Sequence, residues 1–201
     1  MKTLILFLFE FFIGAMMFSY WIGALFNKDI RLFGDSNPGA FNLGRALGFR
    51  IGVIGALLDF FKGLFPLTIF TYHNYISGWE IFIIGLAPIL GHAFSPFLKF
   101  KGGKGVAVTF GVWSALTFFE ISLVYGILLA LFEVGIRFFK KNITSEDDAV
   151  ITIVGLLCVL VYMLLRKFEF YYLALLMVNF LVMSYKNIKE IKLFLKHNFL
   201  R

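Results

Sequence analysis

The sequence is poor in charge, in cysteine and in proline. Charged residues make up 15% of its 201 positions and hydrophobic residues 60%, whereas soluble globular domains carry about 25% charged and about 45–50% apolar residues. This composition excludes an ordinary soluble domain. The single cysteine, Cys158, excludes an intrachain disulfide framework and a cysteine-rich metal cluster. The chain also lacks a metal-ligand spacing and a Ser-His-Asp arrangement, so we expect neither a metal site nor a serine triad.

Long apolar runs take the place of the missing charge. The longer runs extend over about 17 to 24 residues, the length that a helix needs to cross a bilayer, whereas transmembrane strands would show short alternating segments. We therefore predict an all-α integral membrane protein, with a single polytopic domain over residues 1–201 and about seven transmembrane helices. The predicted spans are approximately Leu4–Phe26, Phe49–Phe70, Glu80–Gly91, Val106–Phe119, Ile121–Phe138, Ala149–Leu165 and Phe170–Met183.

The distribution of the basic residues predicts how the protein is oriented in the membrane. The net charge of +7 is spread between apolar segments, which favours membrane topology over nucleic-acid binding. With the N-terminus outside, fifteen of the 19 lysines and arginines fall on one side, and the positive-inside rule makes that side cytoplasmic. The polar loops and the C-terminus then share the cytoplasmic face. The basic, amphipathic segment Lys186–Arg201 is expected to lie on the membrane surface.

Three features inside the spans need an explanation. Pro88 and Gly91 indicate a broken or shallow third helix, which is tolerated only where it lines a cavity or is covered by protein. Asp59 and Lys62 stand three positions apart on one helical face, so we expect a structural ion pair within the bundle. Glu10 is either a functional carboxylate at membrane depth or a group that pairs or snorkels.

Two polar loops stand out from the apolar background. The segment Gly91–Gly105 collects three lysines and four glycines, and Gly102, Gly103 and Gly105 can take positive φ and turn backbone N–H groups toward an anion. A helix beginning at Val106 would add its N-terminal N–H groups and Lys104 a positive charge, which predicts a phosphate-binding loop that is not a Walker A motif. The alternative is a tight cytoplasmic turn whose lysines only obey the positive-inside rule.

The same segment resembles a signature motif of a known family. Residues 91–94 and 97–107 read Gly-His-Ala-Phe and Phe-Leu-Lys-Phe-Lys-Gly-Gly-Lys-Gly-Val-Ala, which is similar to the second motif of the bacterial acyl-phosphate:glycerol-3-phosphate acyltransferases, the PlsY family. The resemblance covers essentially the whole chain. It extends to the first motif at Gly34, Asn37, Gly39, Ala40, Asn42, Arg45 and Gly48, to Asp59 and Lys62-Gly63, and to Asn187-Ile188.

This resemblance implies a reaction and a set of site residues. It implies acyl transfer from acyl phosphate to the 1-hydroxyl of glycerol 3-phosphate, giving lysophosphatidic acid for phospholipid synthesis. The resemblance also implies that no metal and no cofactor takes part, and that the protein lies in the cell inner membrane with its site facing the cytoplasm. The expected partners are these two substrates and membrane lipid, and we expect a monomer. The residues implied as catalytic are Lys104, Arg45, Asn187 and His92, and those implied as binding substrate phosphate are Asn37, Asn42, Gly102, Gly103, Gly105 and Lys101. His92 acts either as a general base or as a group that holds the loop.

The chain is nevertheless a divergent member by its motifs. The family pattern has serine at Asp35, threonine at Phe41 and Val108, histidine at Ser184 and arginine at Glu190. A carboxylate at Asp35 should repel an anionic substrate unless it pairs with a lysine or is protonated. Besides the acyltransferase, two functions therefore stay open: a catalytically degenerate paralogue that binds anionic lipid or acyl phosphate, and a small membrane transporter.

Overall fold

The computed structural model describes residues 1–199, which form ten α-helices and two single-turn 3₁₀ helices without any strand. The α-helices are α1 Lys2–Ala15, α2 Phe18–Leu25, α3 Ala40–Leu47, α4 Phe49–Tyr72, α5 Trp79–Ala93, α6 Val106–Thr117, α7 Glu120–Arg137, α8 Ser145–Leu165, α9 Phe170–Lys186 and α10 Ile188–Phe199. The 3₁₀ helices are Ile30–Leu32 and Pro96–Leu98. The all-α prediction is confirmed.

Within residues 1–199, length and composition single out four segments that could cross a membrane: Lys2–Leu25, Phe49–Tyr72, Trp79–Leu98 and Ser145–Leu165. The apolar helices α6 and α9 are shorter. Helix α7 has 18 residues but carries Glu120, Glu133 and Arg137, a high charge for a span. The structure thus agrees with a helical membrane protein, while seven crossings stay a prediction.

The first predicted span is not one helix. Helix α1 ends at Ala15 and α2 begins at Phe18, with Met16 in an extended conformation between them. A helix break leaves carbonyl groups without intrahelical partners, which is costly at membrane depth. Ser95 Oγ donates to the Ala15 carbonyl at 2.7 Å, and Lys62 Nζ donates to the Met16 carbonyl. The break is therefore stabilised by side chains from two other segments.

The expectation of a broken third span is wrong. Helix α5 runs through Pro88 without interruption and ends at Ala93. The segment Trp79–Leu98, which contains α5, is the most buried of the four long apolar segments, since 67% of its most apolar stretch lies inside the protein. Close packing covers the proline: α1 lies against it at Gly14, where a Cβ would overlap the Pro88 backbone. Protein therefore replaces lipid around the weakened part of this helix.

The core lies where α5 and α6 meet α7, α8 and α9. Trp113 and Tyr125 are its largest fully buried side chains. Trp113 Nε1 donates to Asn179 Oδ1 at 3.1 Å, and the Tyr125 hydroxyl donates to the Thr152 carbonyl at 3.1 Å. Both polar aromatic groups are thus satisfied inside the bundle, as burial requires.

The polar segments gather at one end of the bundle. The predicted loop Asn27–Gly48 contains the amphipathic helix α3, which the sequence reasoning missed. Helix α10 forms within the predicted surface tail and packs against α8, and the last two residues of that tail, Leu200 and Arg201, lie outside the described residues. At the opposite end, Thr3 Oγ1 donates to Glu80 Oε1 at 2.8 Å and joins the starts of α1 and α5.

Candidate functional site

Lys104 lies at the end of the glycine and lysine segment, just before α6. Its ammonium Nζ is 2.6 Å from Asp35 Oδ2 and 3.0 Å from Glu190 Oε1. Asp35 comes from the loop before α3 and Glu190 from α10, so three segments distant in sequence meet at one cation. The side chains are 14%, 15% and 10% exposed, respectively, so water has little access to the cluster. Asp35 therefore pairs with a lysine, which offsets the repulsion that an unpaired carboxylate would exert on an anionic substrate.

Two asparagines hold Asp35 in this position, Asn42 through its side chain and Asn37 through its backbone N–H. Asp35 Oδ1 accepts hydrogen bonds from Asn42 Nδ2 at 2.9 Å and from the Asn37 backbone N–H at 3.2 Å. Asn42 Nδ2 also donates to the Asn37 carbonyl at 2.9 Å. Burial of the Asp35 carboxyl opposes its ionisation, but the hydrogen bond and charge of Lys104, aided by these donors, hold its pKa below the ordinary value. Asp35 is therefore a charged carboxylate at neutral pH.

Arg45 supplies a second cation to the same region. It projects from α3, and its guanidinium stacks over the Phe41 ring at 4.8 Å from the ring centre. Within residues 1–199 no carboxylate lies close enough to form an ion pair with it. The Arg45 guanidinium thus keeps its donors available for an anion, whereas Lys104 is already paired.

A second, deeper cluster surrounds Lys62 on α4. Lys62 Nζ lies 2.7 Å from Asp59 Oδ1 and 2.9 Å from His92 Nδ1, and it also donates to the Met16 carbonyl. Ser19 Oγ donates to the other Asp59 oxygen at 2.7 Å. The predicted ion pair between Asp59 and Lys62 is confirmed, and the break between α1 and α2 provides the third acceptor.

These contacts determine which nitrogen of His92 carries the proton. An ammonium group has three donors and no acceptor, and the carboxylate and carbonyl partners of Lys62 can only accept. The third donor of Lys62 therefore points at the lone pair of His92 Nδ1, which places the proton of a neutral imidazole on Nε2. His92 lacks a free Nδ1 lone pair for proton abstraction, so this arrangement favours the structural role over the general base.

His92 also fixes the glycine segment. Its carbonyl accepts the Gly103 backbone N–H at 3.1 Å, and a Cβ at Gly103 would overlap His92 Nε2. A Cβ at Gly102 would overlap the His92 carbonyl oxygen. Lys186 Nζ closes the segment by donating to the carbonyls of Ala93 at 2.9 Å and Gly102 at 2.8 Å. Close backbone approach therefore explains the two adjacent glycines.

The conformation of this segment differs from the one expected. Of the three glycines, only Gly105 takes a positive φ, +86°, where it precedes α6. Lys99 and Phe100 take positive φ instead, at 52° and 62°. The idea that Gly102 and Gly103 both turn their N–H groups toward an anion through positive φ is thus wrong, and the Gly103 N–H is used within the protein.

A cavity of about 450 Å³ opens beside these groups, between α3, α4, α6, α7 and α8. Of the predicted site residues it is lined by Asn37, Arg45, His92, Lys104, Gly105 and Asn187. Asn42, Gly102 and Gly103 are buried behind the wall, and Lys101 is exposed to solvent away from it. Asn187 is 2% exposed and donates from Nδ2 to the Met183 carbonyl at 2.9 Å, where α9 ends.

Sequence reasoning missed three acidic groups of this region. Asp148 and Glu133 line the cavity, and Glu190 pairs with Lys104 beside it. The run of acids at the start of α8 was a usable signal, because Asp147 forms the capping box with Thr144 and leaves Asp148 on another face of the helix. Glu133 pairs with Arg137 at 2.6 Å on the exposed side of α7.

Part of the cavity wall is apolar and is formed by Ala56, Val106, Ala107, Phe110 and Leu129, among others. A second, apolar groove of about 350 Å³ lies between α7 and α8 and shares Ile151 with the first cavity. The site thus joins a charged end, where Lys104 and Arg45 lie, to apolar surface that leads outward between two helices.

Glu10 lies apart from this cavity. It is fully buried in α1, and neither of its carboxylate oxygens has a hydrogen-bond partner within residues 1–199. It is not among the groups that line the cavity. The structure therefore does not bring Glu10 together with the other predicted site residues.

Comparison with known proteins identifies close relatives over nearly the whole chain. A family model described as glycerol-3-phosphate acyltransferase matches residues 4–197. Glycerol-3-phosphate acyltransferase 1 of Thermotoga maritima is 40% identical over 192 residues, which cover 93% of this chain and 95% of the relative. Glycerol-3-phosphate acyltransferase 2 of Bacillus anthracis is 36% identical over 181 residues, which cover 82% of this chain and 90% of the relative.

Solved structures agree with these relatives. The crystal structure of PlsY, an integral membrane glycerol 3-phosphate acyltransferase in its glycerol 3-phosphate form, superposes with a TM-score of 0.85 at 29% identity. The match covers 98% of this chain and 94% of that one. The lysophosphatidic acid form of PlsY gives a TM-score of 0.84 at 28% identity, with 98% and 93% of the two chains covered.

Proposed function

Because the chain belongs to the glycerol-3-phosphate acyltransferase family, we propose that the cavity beside Lys104 and Arg45 is where it transfers an acyl group to glycerol 3-phosphate. The chain is a multi-pass membrane acyltransferase of phospholipid synthesis. The observation that carries the site assignment is the meeting of two cations, Lys104 and Arg45, at the charged end of a cavity that also has an apolar wall. An anionic acceptor and an aliphatic acyl chain need such a combination.

The proposed donor is an acyl phosphate. The 1-hydroxyl oxygen of glycerol 3-phosphate attacks the acyl carbonyl carbon, the bond to the phosphate oxygen breaks, and an ester, lysophosphatidic acid, is formed. The hydroxyl proton passes to the departing phosphate, so the products are the ester and inorganic phosphate. Because the donor is already activated, the protein mainly has to hold two phosphates close together and stabilise the developing oxyanion.

The residues take their roles from their positions. Lys104 and Arg45 bind phosphate oxygens, because they are the cations that line the cavity. Asn37 and Asn187 line it with amide groups that orient the substrates, and Gly105 lets α6 begin at the phosphate. His92 holds the glycine segment through its carbonyl and its ring, and its Nε2 proton makes it a donor. The substrate's own phosphate then accepts the proton.

The acyl chain is proposed to leave the charged end along the apolar walls. The groove between α7 and α8 continues from the cavity at Ile151, and its other residues, among them Leu131, Phe139 and Val154, are apolar. Burial of each methylene group is worth about 0.8 kcal/mol. The donor therefore gains affinity by lying between these two helices, where membrane lipid also lies.

We further propose that the chain crosses the bacterial inner membrane seven times, with its N-terminus outside and the site facing the cytoplasm, as a monomer. The cavity lies at the end of the bundle that carries the basic loops, and the contact of Lys2 with Glu80 lies at the other end. The positive-inside rule assigns the basic end to the cytoplasm. Both water-soluble glycerol 3-phosphate and the membrane-embedded acyl phosphate can reach such a site.

Transfer of the palmitoyl group from palmitoyl phosphate to radiolabelled glycerol 3-phosphate by purified protein in lipid tests this assignment. Lys104→Ala removes a phosphate-binding charge, and we expect it to lower activity at least about 100-fold. Lys196→Ala removes an equal charge from the exposed face of α10 and should leave activity close to that of the wild type. Equal activity of the two variants would contradict the assignment of Lys104.

One observation favours a second candidate function, a paralogue that binds its ligand without transfer. Asp35 and Glu190 neutralise the lysine that should bind phosphate. If folded wild-type protein retained glycerol 3-phosphate but formed no lysophosphatidic acid, this second function would be supported. Formation of the product in a manner that depends on Lys104 would exclude it.

A further inference from the structure

We propose that Asp35 and Glu190 are internal counterions of Lys104 that compete with the substrate phosphate, so that these two carboxylates set the affinity of the site for glycerol 3-phosphate. The inference rests on the proposed function, in which Lys104 binds phosphate. It makes Glu190 a specificity-determining residue of this chain and assigns to α10 a contribution to substrate binding.

The Lys104 ammonium is already occupied by two ion pairs. Its Nζ lies 2.6 Å from an Asp35 carboxylate oxygen and 3.0 Å from a Glu190 carboxylate oxygen. These are the distances at which a phosphate oxygen would be held by an ammonium. The carboxylate oxygens therefore occupy positions that two phosphate oxygens would otherwise take.

The cluster formed by Lys104, Asp35 and Glu190 also repels an anion through its net charge. Lys104 brings one positive charge and its two partners bring two negative charges, so the cluster carries a net charge of −1 before the substrate enters. All three side chains are at most 15% exposed, and water screens them poorly. An entering phosphate must displace one carboxylate or lie beside two like charges, and either event lowers its affinity.

The two carboxylates differ in how easily a substrate phosphate can displace them from Lys104. Asp35 is fixed, because its second oxygen accepts from Asn42 and from the Asn37 N–H. The Glu190 side chain pairs with Lys104 and makes no other hydrogen bond or ion pair within residues 1–199. Its longer side chain can therefore leave Lys104 at the cost of one contact. Glu190 is the displaceable counterion and Asp35 the permanent one.

Helix α10 stays docked when Glu190 moves. Its far end is held by His197 Nδ1, which lies 3.0 Å from Glu146 Oε2 on α8. Lys140 Nζ lies 5.7 Å from the centre of the Phe194 ring on the same helix. Competition at Lys104 is therefore a side-chain event at one position of α10 and does not require the helix to detach.

Glu190→Gln tests the inference because it removes the competing charge and keeps the size of the side chain. We expect the KM for glycerol 3-phosphate to fall about three- to tenfold, with kcat within about twofold of the wild type. Inorganic phosphate, used as a competitive inhibitor, should bind tighter by the same factor. Asp35→Asn keeps an Oδ1 acceptor for Asn37 and Asn42 and should also lower the KM, which provides a second variant if the first folds poorly.

Glu146→Gln is the matched control, because it removes the other carboxylate contact of α10 without touching Lys104. We expect it to leave the KM unchanged. An unchanged or raised KM in both Glu190→Gln and Asp35→Asn, in an enzyme that depends on Lys104, would overturn the inference and leave the proposed function standing. An equal fall in Glu146→Gln would also overturn it, since loosening of α10 would then be the cause. Full activity of Lys104→Ala would instead overturn the proposed function.

Discussion

Two lysines of this chain lie among acceptor groups at different depths, and their surroundings differ in kind. Lys62 is 2% exposed and meets a carboxylate, a carbonyl and an imidazole nitrogen, one for each of its donors. Lys104 is 14% exposed and meets two carboxylates beside an open cavity. A lysine such as Lys62, whose three donors are all used by the protein, stabilises the fold. A lysine such as Lys104, which lies beside an open cavity and has a displaceable partner, can exchange that partner for a ligand.

The partners of the two lysines also come from different structural elements. Those of Lys62 lie on helices α4 and α5 and at the break between α1 and α2. Those of Lys104 lie on a loop and on the terminal helix α10. We therefore expect changes at Lys62 to act mainly on stability and changes around Lys104 mainly on substrate binding.

Replacement of Lys62, the more deeply buried of the two lysines, should have the largest effect on stability. Lys62→Met leaves Asp59 buried without a counterion and the Met16 carbonyl without a donor, and we expect the free energy of unfolding to fall by about 3–5 kcal/mol. Thermal unfolding in detergent measures the loss. Lys104→Met leaves Asp35 and Glu190 without their cation beside an open cavity, so it should cost less than Lys62→Met, about 1–3 kcal/mol.

A double variant controls for the change in side-chain shape at this site. Asp59→Leu combined with Lys62→Met removes both charges, so no ion is left buried alone, and it should recover a large part of the stability. The comparison between the two lysines would fail if Lys62→Met unfolded at the temperature of the wild type or of Lys104→Met.

Gly103 links the two lysine clusters, because it contacts His92 from the segment that carries Lys104. Gly103→Ala places a Cβ against His92 Nε2, and we expect it to lower the free energy of unfolding by about 1–3 kcal/mol and activity about ten- to hundredfold. Acyl transfer and thermal unfolding of the same preparation measure both effects.

Gly135 on α7 offers a matched control for this substitution, since nothing lies within 4 Å of the Cβ that alanine would add there. Gly135→Ala should stabilise the helix by up to about 1 kcal/mol, in contrast to the loss of stability expected for Gly103→Ala. If both alanine variants behaved alike, close approach of Gly103 to His92 would not be the reason for a glycine at this position.

The helices were largely predictable because a chain in a bilayer must satisfy its backbone within long apolar helices. The start of α6 at Val106 and the end of α8 at Leu165 agree with the predicted spans. The break at Met16 was not predictable, since it depends on Lys62 and Ser95, which lie far along the chain. Helix α3 was missed because it is short and lies in a loop rich in turn-forming residues.

The site was predictable to a smaller extent. Lys104, Arg45 and Asn187 were assigned from motifs, and the structure brings them to one cavity. The motifs could not indicate that Gly103 uses its N–H on His92, because the same glycine would suit a phosphate cradle. The pairing of Glu190 with Lys104 was also beyond sequence reasoning, since it depends on how α10 packs against α8.

The smallest expected effect concerns pH and the cluster around Lys104. The pKa of Asp35 is lower in the folded protein than its ordinary value: burial opposes this shift, but Lys104 outweighs it. A depressed folded pKa contributes stability that is present above the unfolded pKa, about 4 for an aspartate, and is lost as pH falls through the folded value. The wild type should therefore lose this contribution only in acid, below pH of about 4.

Asp35→Asn removes this titration and keeps the neutral hydrogen bonds of the loop. The difference in Tm between the wild type and Asp35→Asn should stay constant from neutral pH down to about pH 5 and shrink as the pH falls further. Thermal unfolding in detergent across this range measures it, and the lower limit is set by the acid stability of the wild type. A difference that grew in acid would mean that Asp35 is protonated in the folded protein, and the Lys104 cluster would then be governed by Glu190 alone.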